Sequence, residues 1–314
     1  MVRFSVIIPT FNNADTLLRA VRSVQMQSYP AYEIIVIDDG SSDETPDVLA
    51  GLGSAILFIR QPNAGVSAAR NNGAEVATGE WLAFLDADDE YEPDRLKLHA
   101  EWISEEPELD FLLGDQLLCR PDGAAISTTI SATGAGRALL EKFGTQSRIP
   151  LSPADFQGLI ADGFTEIRTI SLPRKRFLAL GGFPLGRKIG EDLHFFIRLF
   201  AASVKGGVVP KVLAKYFIYP SSALRKNPLM TMHMFAETIE SLSALVPYFP
   251  NAVQKGYHEK CRLIRLSLGY ALLREGRRLE AVVRVLPVFL RHPSLKTLRD
   301  LASISRGLRT SART

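Results

Sequence analysis

The chain has 314 residues, 46% of them hydrophobic and 23% charged, an ordinary globular composition with enough apolar material for one large core and an appendage. Its formal net charge of +3 conceals an asymmetry: residues 255–314 hold 14 Lys and Arg against 4 Asp and Glu, so a basic tail succeeds an acidic body. No run approaches the ~18 apolar residues of a spanning helix, the opening MVRFSVIIPTFNN lacks the apolar core and cleavage site of a signal peptide, and Cys119 and Cys261 lie far apart without metal-ligand spacing, so a cytoplasmic protein is expected.

Residues 4–8 read as a short buried strand ended by Pro9. From Asn13 to Gln27 the apolar residues Ala14, Leu17, Leu18, Val21 and Val24 have helical spacing, with Asn13 or Asp15 as the cap. Residues 33–37 form a second strand that runs into Asp38-Asp39-Gly40-Ser41-Ser42-Asp43. A helix is expected over 43–50 and a third strand over 55–60. The turn Asn63-Ala64-Gly65-Val66-Ser67 opens a helix through Ala77 that carries Arg70. Trp81 to Leu85 is a fourth strand, an apolar run that ends abruptly in Asp86, Asp88 and Asp89. Strands alternating with helices in this way predict a parallel, right-handed α/β sheet.

The residues at each strand end decide between α/β functions. No G-x-G-x-x-G succeeds the first strand, where Pro9-Thr10-Phe11-Asn12 stands instead, and the chain has no G-x-x-x-x-G-K-[ST]. Both absences argue against dinucleotide-dependent hydride transfer and phosphate-loop chemistry. Ligands of open α/β sheets collect at the carboxyl ends of the strands, and carboxylates with substrate phosphates are what Mg²⁺ and Mn²⁺ prefer. Asp86-Ala87-Asp88 is thus a candidate holder of a metal-bound nucleotide diphosphate, the alternative being a strand cap whose side chains satisfy backbone N–H groups.

Four segments, SVIIPTFN at 5–12, IIVIDDGSSDET at 34–45, NAGVSAARNNGAEVATGEWLAFLDADD at 63–89 and LGGFPLGRKIGEDLHFFIRL at 180–199, together resemble glycosyltransferase family 2, the inverting nucleotide-sugar enzymes of the GT-A fold. The resemblance implies a GT-A domain over 1–225, with a Rossmann-like, mainly parallel sheet and helices on both faces, and an α-helical C-terminal extension over 226–314. It places Pro9, Thr10, Phe11 and Asn12 in the base-contacting loop and Asp39 on the uracil imide N–H. Arg70 would reach the base edge or the phosphates, unless it is a surface arginine, and Asp38 either closes a turn or joins the contact. Asp86, with Ala87 beside it, would meet the ribose, and Asp88 would bind Mn²⁺ or Mg²⁺. Asp89 is assigned to structure, ahead of the turn from Glu90 to Pro93.

Gly190-Glu191-Asp192 opens a helix whose Phe195, Phe196, Leu199 and Phe200 face inward. Acidic side chains suit a helix N-terminus in any case, but this is where the family's base lies. The resemblance therefore implies Asp192 as general base, with Glu191 as its neighbour or second candidate. Gly181 to Pro184 would bring backbone close to the sugar, residues 185–189 would form a lid, and Arg187 and Lys188 would be solvated charges or meet an anion.

Two departures from the family pattern matter. The Q-x-x-R-W motif and flanking membrane helices of processive synthases are absent from the sequence, which favours transfer of one sugar. Phe217 and Tyr219 replace the Arg and His of a segment that in many members touches the metal or diphosphate, leaving Tyr219, Arg225 or Lys226 for that task. Residues 108–170 would form the acceptor side, with Asp115 ending a strand and a mobile loop over 124–137.

The tail reads as helices over 231–245 and 252–273, a Gly-containing turn at 276, and further helices whose Val282 to Leu290, Leu295, Leu298, Leu301 and Ile304 lie among Lys296, Arg299, Arg306 and Arg309. Such helices either pack on the body or lie on anionic lipid, giving a peripheral seat on the inner face of the plasma membrane. No nucleic-acid motif accompanies the charge. The partners expected are a nucleoside diphosphate sugar, UDP-linked, and a glycan or lipid-linked acceptor of cell-surface polysaccharide or lipopolysaccharide. The competing readings are a sugar-1-phosphate nucleotidyltransferase, which would want a Gly-rich first loop, and an idle nucleotide- or sugar-binding protein docked on membrane.

Overall fold

A computed structural model describes residues 1–53, 56–219, 227–291 and 293–306. Four strands, β1 (Phe4–Thr10), β2 (Glu33–Asp38), β3 (Leu57–Arg60) and β4 (Trp81–Phe84), lie parallel in the order β3-β2-β1-β4. They are joined by α1 (Ala14–Gln25), α2 (Thr45–Ala50) and α3 (Val66–Val76).

Pro9 does not end β1, which continues to Thr10. Alternate residues of β1 bond to alternate neighbours: the carbonyls of Phe4 and Thr10 accept from the chain at β2, and that of Ile7 accepts from Leu85 beyond β4. Pro9 faces the β4 side, where pairing stops at Ile7 opposite Phe84. Its missing N–H therefore removes no ladder bond.

Period-two alternation sends Ile7 to one face of the sheet and Val6 and Ile8 to the other. Ile7 packs with Ala69 and Ala74 of α3, while Val6 and Ile8 pack with Leu17, Ala20, Val21 and Val24 of α1. Helix α1 is also tied from outside, since Asp43 accepts from the N–H of Ala14 at 3.1 Å.

Beyond β4 come β5 (Glu90–Tyr91), α4 (Arg95–Glu105), β6 (Phe111–Cys119), β7 (Ala125–Thr128), α5 (Thr129–Ala132), α6 (Gly134–Phe143), β8 (Ile149–Leu151), α7 (Phe156–Asp162), β9 (Ser171–Pro173), α8 (Arg174–Ala179), α9 (Glu191–Ala201) and β10 (Gly206–Phe217). The sheet continues β4-β9-β6-β10-β5, with β9 antiparallel to both β4 and β6, so it is parallel in its first half and mixed in its second. Residues 124–137 are not the expected mobile loop. They form β7 on the flank of β6, then α5 and the first turn of α6, which Thr133 caps by accepting from Gly136. Asp115 lies inside β6 rather than at its end, and one of its oxygens accepts from the N–H groups of Gln116, Thr129 and Ile130.

The extension comprises α10 (Pro228–Glu240), a 3₁₀ turn at Val246–Tyr248, α11 (Asn251–Arg274), α12 (Arg278–Arg291) and α13 (Leu295–Arg306). Ile239, Leu242, Val253, Tyr257 and Ile264 share one core with Phe156 of α7 and Phe195, Phe196 and Phe200 of α9. Only beyond them do Leu268, Leu272, Ala281, Val285 and Ile304 form a cluster of their own. The change in charge along the sequence does not mark a break in packing. The boundary expected at residue 225, together with Arg225, Lys226 and Arg309, lies outside the described residues.

Candidate active site

The carboxyl end of β4 lies near the start of α9, to which Arg70 links it. A cleft of about 580 Å³ lies there, within the usual size of small-molecule sites, and Arg70, Asp86, Asp88, Glu191 and Asp192 all line it. Residues far apart in sequence are held there by ion pairs. Arg70, 3% exposed, donates to Asp86 at 2.6 Å and to Glu191 at 2.9 Å, and so couples the end of β4 to the start of α9. Below it lies Phe183, whose ring centroid is 5.3 Å from the guanidinium carbon. Asn71 fixes Phe183 in turn, accepting from its N–H and donating to its carbonyl. Gly182, at φ +63°, passes so close to Asn71 that a Cβ would sit 2.4 Å from its Oδ1. The glycine approach expected at the sugar is thus an approach to α3 that seats the floor under Arg70.

Arg168 is a second anchor, and sequence reasoning missed it. It donates to Asp89 at 2.6 Å, Gln116 at 2.6 Å, Glu166 at 3.2 Å and Asp86 at 3.3 Å, and it stacks on Tyr216 with 4.3 Å to the ring centroid. Asp89, fully buried, also accepts from the N–H of Phe217 at 3.0 Å. The only signal in the sequence was an acid-x-base pair, Glu166-Ile167-Arg168, just ahead of the stretch at 170–172, and such pairs are common on surfaces.

The electrostatics separate the two acids of the Asp86-x-Asp88 triplet. Burial would raise the Asp86 carboxyl, but Arg70 and Arg168 outweigh it and hold it below its ordinary value. Burial and the charge of Asp86 push the Asp88 carboxyl up. Asp88 makes no side-chain ion pair with any described residue, while its carbonyl accepts from Arg19 at 2.7 Å. Asp88 is thus the unpaired carboxylate of the triplet that lines the cleft. Glu191 is pushed up to about 7 by burial and the adjacent Asp192, against the pull of Arg70. The only hydrogen bond of the Asp192 side chain within the described residues is to the N–H of Leu193, at 2.6 Å.

The expected nucleoside residues lie along the same sheet edge but do not line this cleft. Thr10 is buried, with a hydroxyl that has no partner among the described residues. Phe11 is 47% exposed, and Asn12, at φ +54°, accepts from the N–H of Ser42 at 2.8 Å. Asp39 is largely engaged already: its oxygens accept from Gln61, from the N–H of Ala64 at 2.9 Å and from the N–H of Gly65 at 2.8 Å. Of the roughly four acceptor positions on a carboxylate, three are taken. Asp38 accepts from the N–H of Ser41 and pairs with Arg60 at 3.4 Å, closing the turn. Pro9 and Ala87 are buried and do not line the cleft. Tyr219 accepts from Arg19 at 3.1 Å, and Lys188 of the 185–189 loop lines the cleft.

This architecture is the GT-A fold. The structure of Staphylococcus aureus TarS residues 1–349 in complex with UDP-GlcNAc superimposes with a TM-score of 0.62 over 97% of this chain and 91% of that one, at 16% identity. The mannosyltransferase PcManGT of Pyrobaculum calidifontis, in complex with GDP-Man and Mn²⁺, covers 96% of this chain and 79% of that one with a TM-score of 0.59 and 18% identity. Residues 5–124 match the model of glycosyl transferase family 2. A PGL/p-HBAD biosynthesis glycosyltransferase of Mycobacterium bovis is 39% identical over 120 residues, 37% of this chain and 47% of the relative. An uncharacterised glycosyltransferase of Escherichia coli, YibD, is 44% identical over 94 residues, 29% of this chain and 27% of the relative. The chain spans about half the length of the first of these relatives.

Proposed function

We propose that the protein is an inverting, non-processive glycosyltransferase that moves one sugar from a UDP-sugar to a glycan or lipid-linked acceptor in cell-surface polysaccharide or lipopolysaccharide synthesis. The observation that carries this reading is the pairing of two differently prepared acids in one cleft. Asp88 lies unpaired at the end of β4, and Asp192 lies at the start of α9, with Arg70 bridging the two elements through Asp86 and Glu191. The UDP-GlcNAc of TarS favours uridine, and the biosynthetic role in the name of the mycobacterial relative favours an envelope glycan.

Asp192 takes the proton of the acceptor hydroxyl as its oxygen attacks the anomeric carbon, and the nucleoside diphosphate leaves from the opposite face, which inverts the centre. Arg70 holds Glu191 and Asp86 in register, so that donor and base approach along one line. The Thr10 hydroxyl and the remaining acceptor position of Asp39 suit a nucleobase edge. For a divalent cation the protein supplies one ligand rather than a full cage. Among the described residues no group of three His, Cys, Asp or Glu side chains could hold a metal, and Asp86 is committed to two arginines, which leaves Asp88. One carboxylate together with substrate phosphates is a fitting set for Mg²⁺ or Mn²⁺, and PcManGT was captured with Mn²⁺. When bound, such an ion supplies positive charge to the departing diphosphate.

Among the described residues no helix is long and apolar enough to cross a membrane. The last helices nonetheless have a second apolar face besides the packed one: Leu279, Val283, Leu290, Leu295 and Leu298 are exposed, beside exposed Arg278, Arg284, Arg299 and Arg306. This supports a peripheral seat on anionic lipid.

The test is UDP release from a panel of UDP-sugars. Asp192→Asn should lower kcat by roughly 10²–10⁴-fold, the range for loss of a general base, with the donor KM within a few-fold of wild type. Undiminished turnover in Asp192→Asn would refute the assignment.

A further inference from the structure

The C-terminal extension forms one wall of the cleft. Phe235 of α10 lies against Gly190, at φ +80°, where a Cβ would meet the ring at 2.4 Å. Helix α11 packs on α7 just as closely: a Cβ on Gly256 would lie 2.9 Å from both the carbonyl oxygen of Gln157 and the Cβ of Ile160. That contact fixes the rotation and height of α11. One turn further along the same face is Lys260, which lines the cleft together with Glu166 and Asp192.

Lys260 differs from the other cations there. Arg70 and Arg168 pair with carboxylates at 2.6–3.3 Å and Lys188 is exposed, whereas Lys260 makes no hydrogen bond or ion pair with any described residue, although the helix packing partly buries it. Burial lowers its pKa, and the carboxylates that oppose this effect are Asp162, Asp192 and Glu166. Lys260 thus shares the lining of the cleft with Asp192, the proposed base, and feels its charge. A desolvated ammonium without a partner costs stability, and such a residue is retained where a ligand completes it.

We propose that Lys260 binds an anionic group, phosphate or carboxylate, carried by the acceptor next to the hydroxyl that is glycosylated, so that the basic extension selects acidic acceptors. This rests on the transferase reading above. The acceptor's charge sits on the ammonium while its hydroxyl meets Asp192, which orients the nucleophile and adds no bond-making step.

The test uses the full chain loaded with UDP and Mn²⁺ and, separately, the nucleotide-free chain. Glycerol 3-phosphate and methyl glucuronide are titrated calorimetrically, with glycerol and methyl glucoside as neutral counterparts. Wild type should bind an anionic probe and not its neutral partner. Lys260→Met should weaken that binding at least tenfold, Lys260→Arg should retain it, and UDP affinity should stay within twofold in both variants. The preferred probe distinguishes phosphate from carboxylate. Equal binding of charged and neutral probes, or unchanged binding in Lys260→Met, would overturn the proposal. Failure of wild type to bind UDP would instead count against the transferase reading, and the nucleotide-free titration still decides the role of Lys260. Lys260→Met should also unfold at a temperature no lower than wild type, whereas a purely structural lysine would show a loss.

Discussion

Replacing Arg168 with Met removes the cation that four side chains share. Asp89 is the most affected, because it is fully buried and its remaining partner is the N–H of Phe217. Asp86 keeps Arg70. Breaking a buried pair by removing one member costs about 3–5 kcal/mol, because a buried charge is left uncompensated, and the geometry here, with Nε to Oδ2 at 2.6 Å, supports that full range. The loss should depend on pH. Burial pushes the Asp89 carboxyl up, Arg168 opposes this, and Asp88 and Asp86 add to the rise. Without Arg168 the folded-state pKa climbs further above the unfolded value. Stability contributed by a raised carboxyl is complete below its unfolded pKa and is lost as pH rises through the folded one, so the penalty in Arg168→Met should be smaller at pH 5 than at pH 8. Adding Asp89→Asn removes the stranded charge and should recover about half of the loss at pH 8. Urea unfolding followed by fluorescence of the buried Trp81 and Trp102 measures each quantity. A loss under about 1 kcal/mol, or one flat across this pH range, would refute the view that Arg168 anchors the acids of the cleft.

His194, on α9 two residues past the proposed base, is held down at about 4 by burial and by Arg198 and Arg187. The unfolded chain therefore takes up a proton between pH 6.5 and 4 that the folded chain does not, so acidification destabilises wild type; allowing for partial exposure, His194→Gln should be spared about 1–2 kcal/mol of that loss by pH ~4.5, as read from urea midpoints. Vesicles of anionic phosphatidylglycerol should sediment the protein while neutral phosphatidylcholine does not, and changing Arg278, Arg284, Arg299 and Arg306 to Gln should weaken binding at least ~100-fold, at about 1 kcal/mol per surface charge. Equal sedimentation of wild type and the quadruple variant would remove the lipid-facing role of the last helices.

The chain was most legible where one residue type does one job. Strands of apolar residues, two of them ending in acids, and the helical spacing of Leu17, Val21 and Val24 pointed to the parallel half of the sheet and to the end of β4 beside which the cleft lies. The mixed half was harder to read. Strands β7 and β8 are short and pair at edges, and Gly134 and Gly136 at the start of α6 look like loop glycines until the cap at Thr133 is seen. Arg168 and Lys260 were invisible for a different reason. The partners of Arg168 lie up to 82 residues away, and the position of Lys260 is set by a helix contact at Gly256, which periodicity does not report. Asp39 shows the converse: its residue type pointed to a ligand, while most of its capacity is spent on the side chain of Gln61 and the amides of Ala64 and Gly65 that shape the turn before α3.

The most direct test is calorimetric titration of UDP into wild type and Asp88→Ala, each with Mn²⁺ and with EDTA. The account predicts that Mn²⁺ strengthens UDP binding to wild type at least tenfold and that Asp88→Ala, still folded, loses this dependence. UDP binding that is absent in wild type, or equally responsive to Mn²⁺ in Asp88→Ala, would contradict the assignment of the cleft to a metal-bound nucleoside diphosphate sugar.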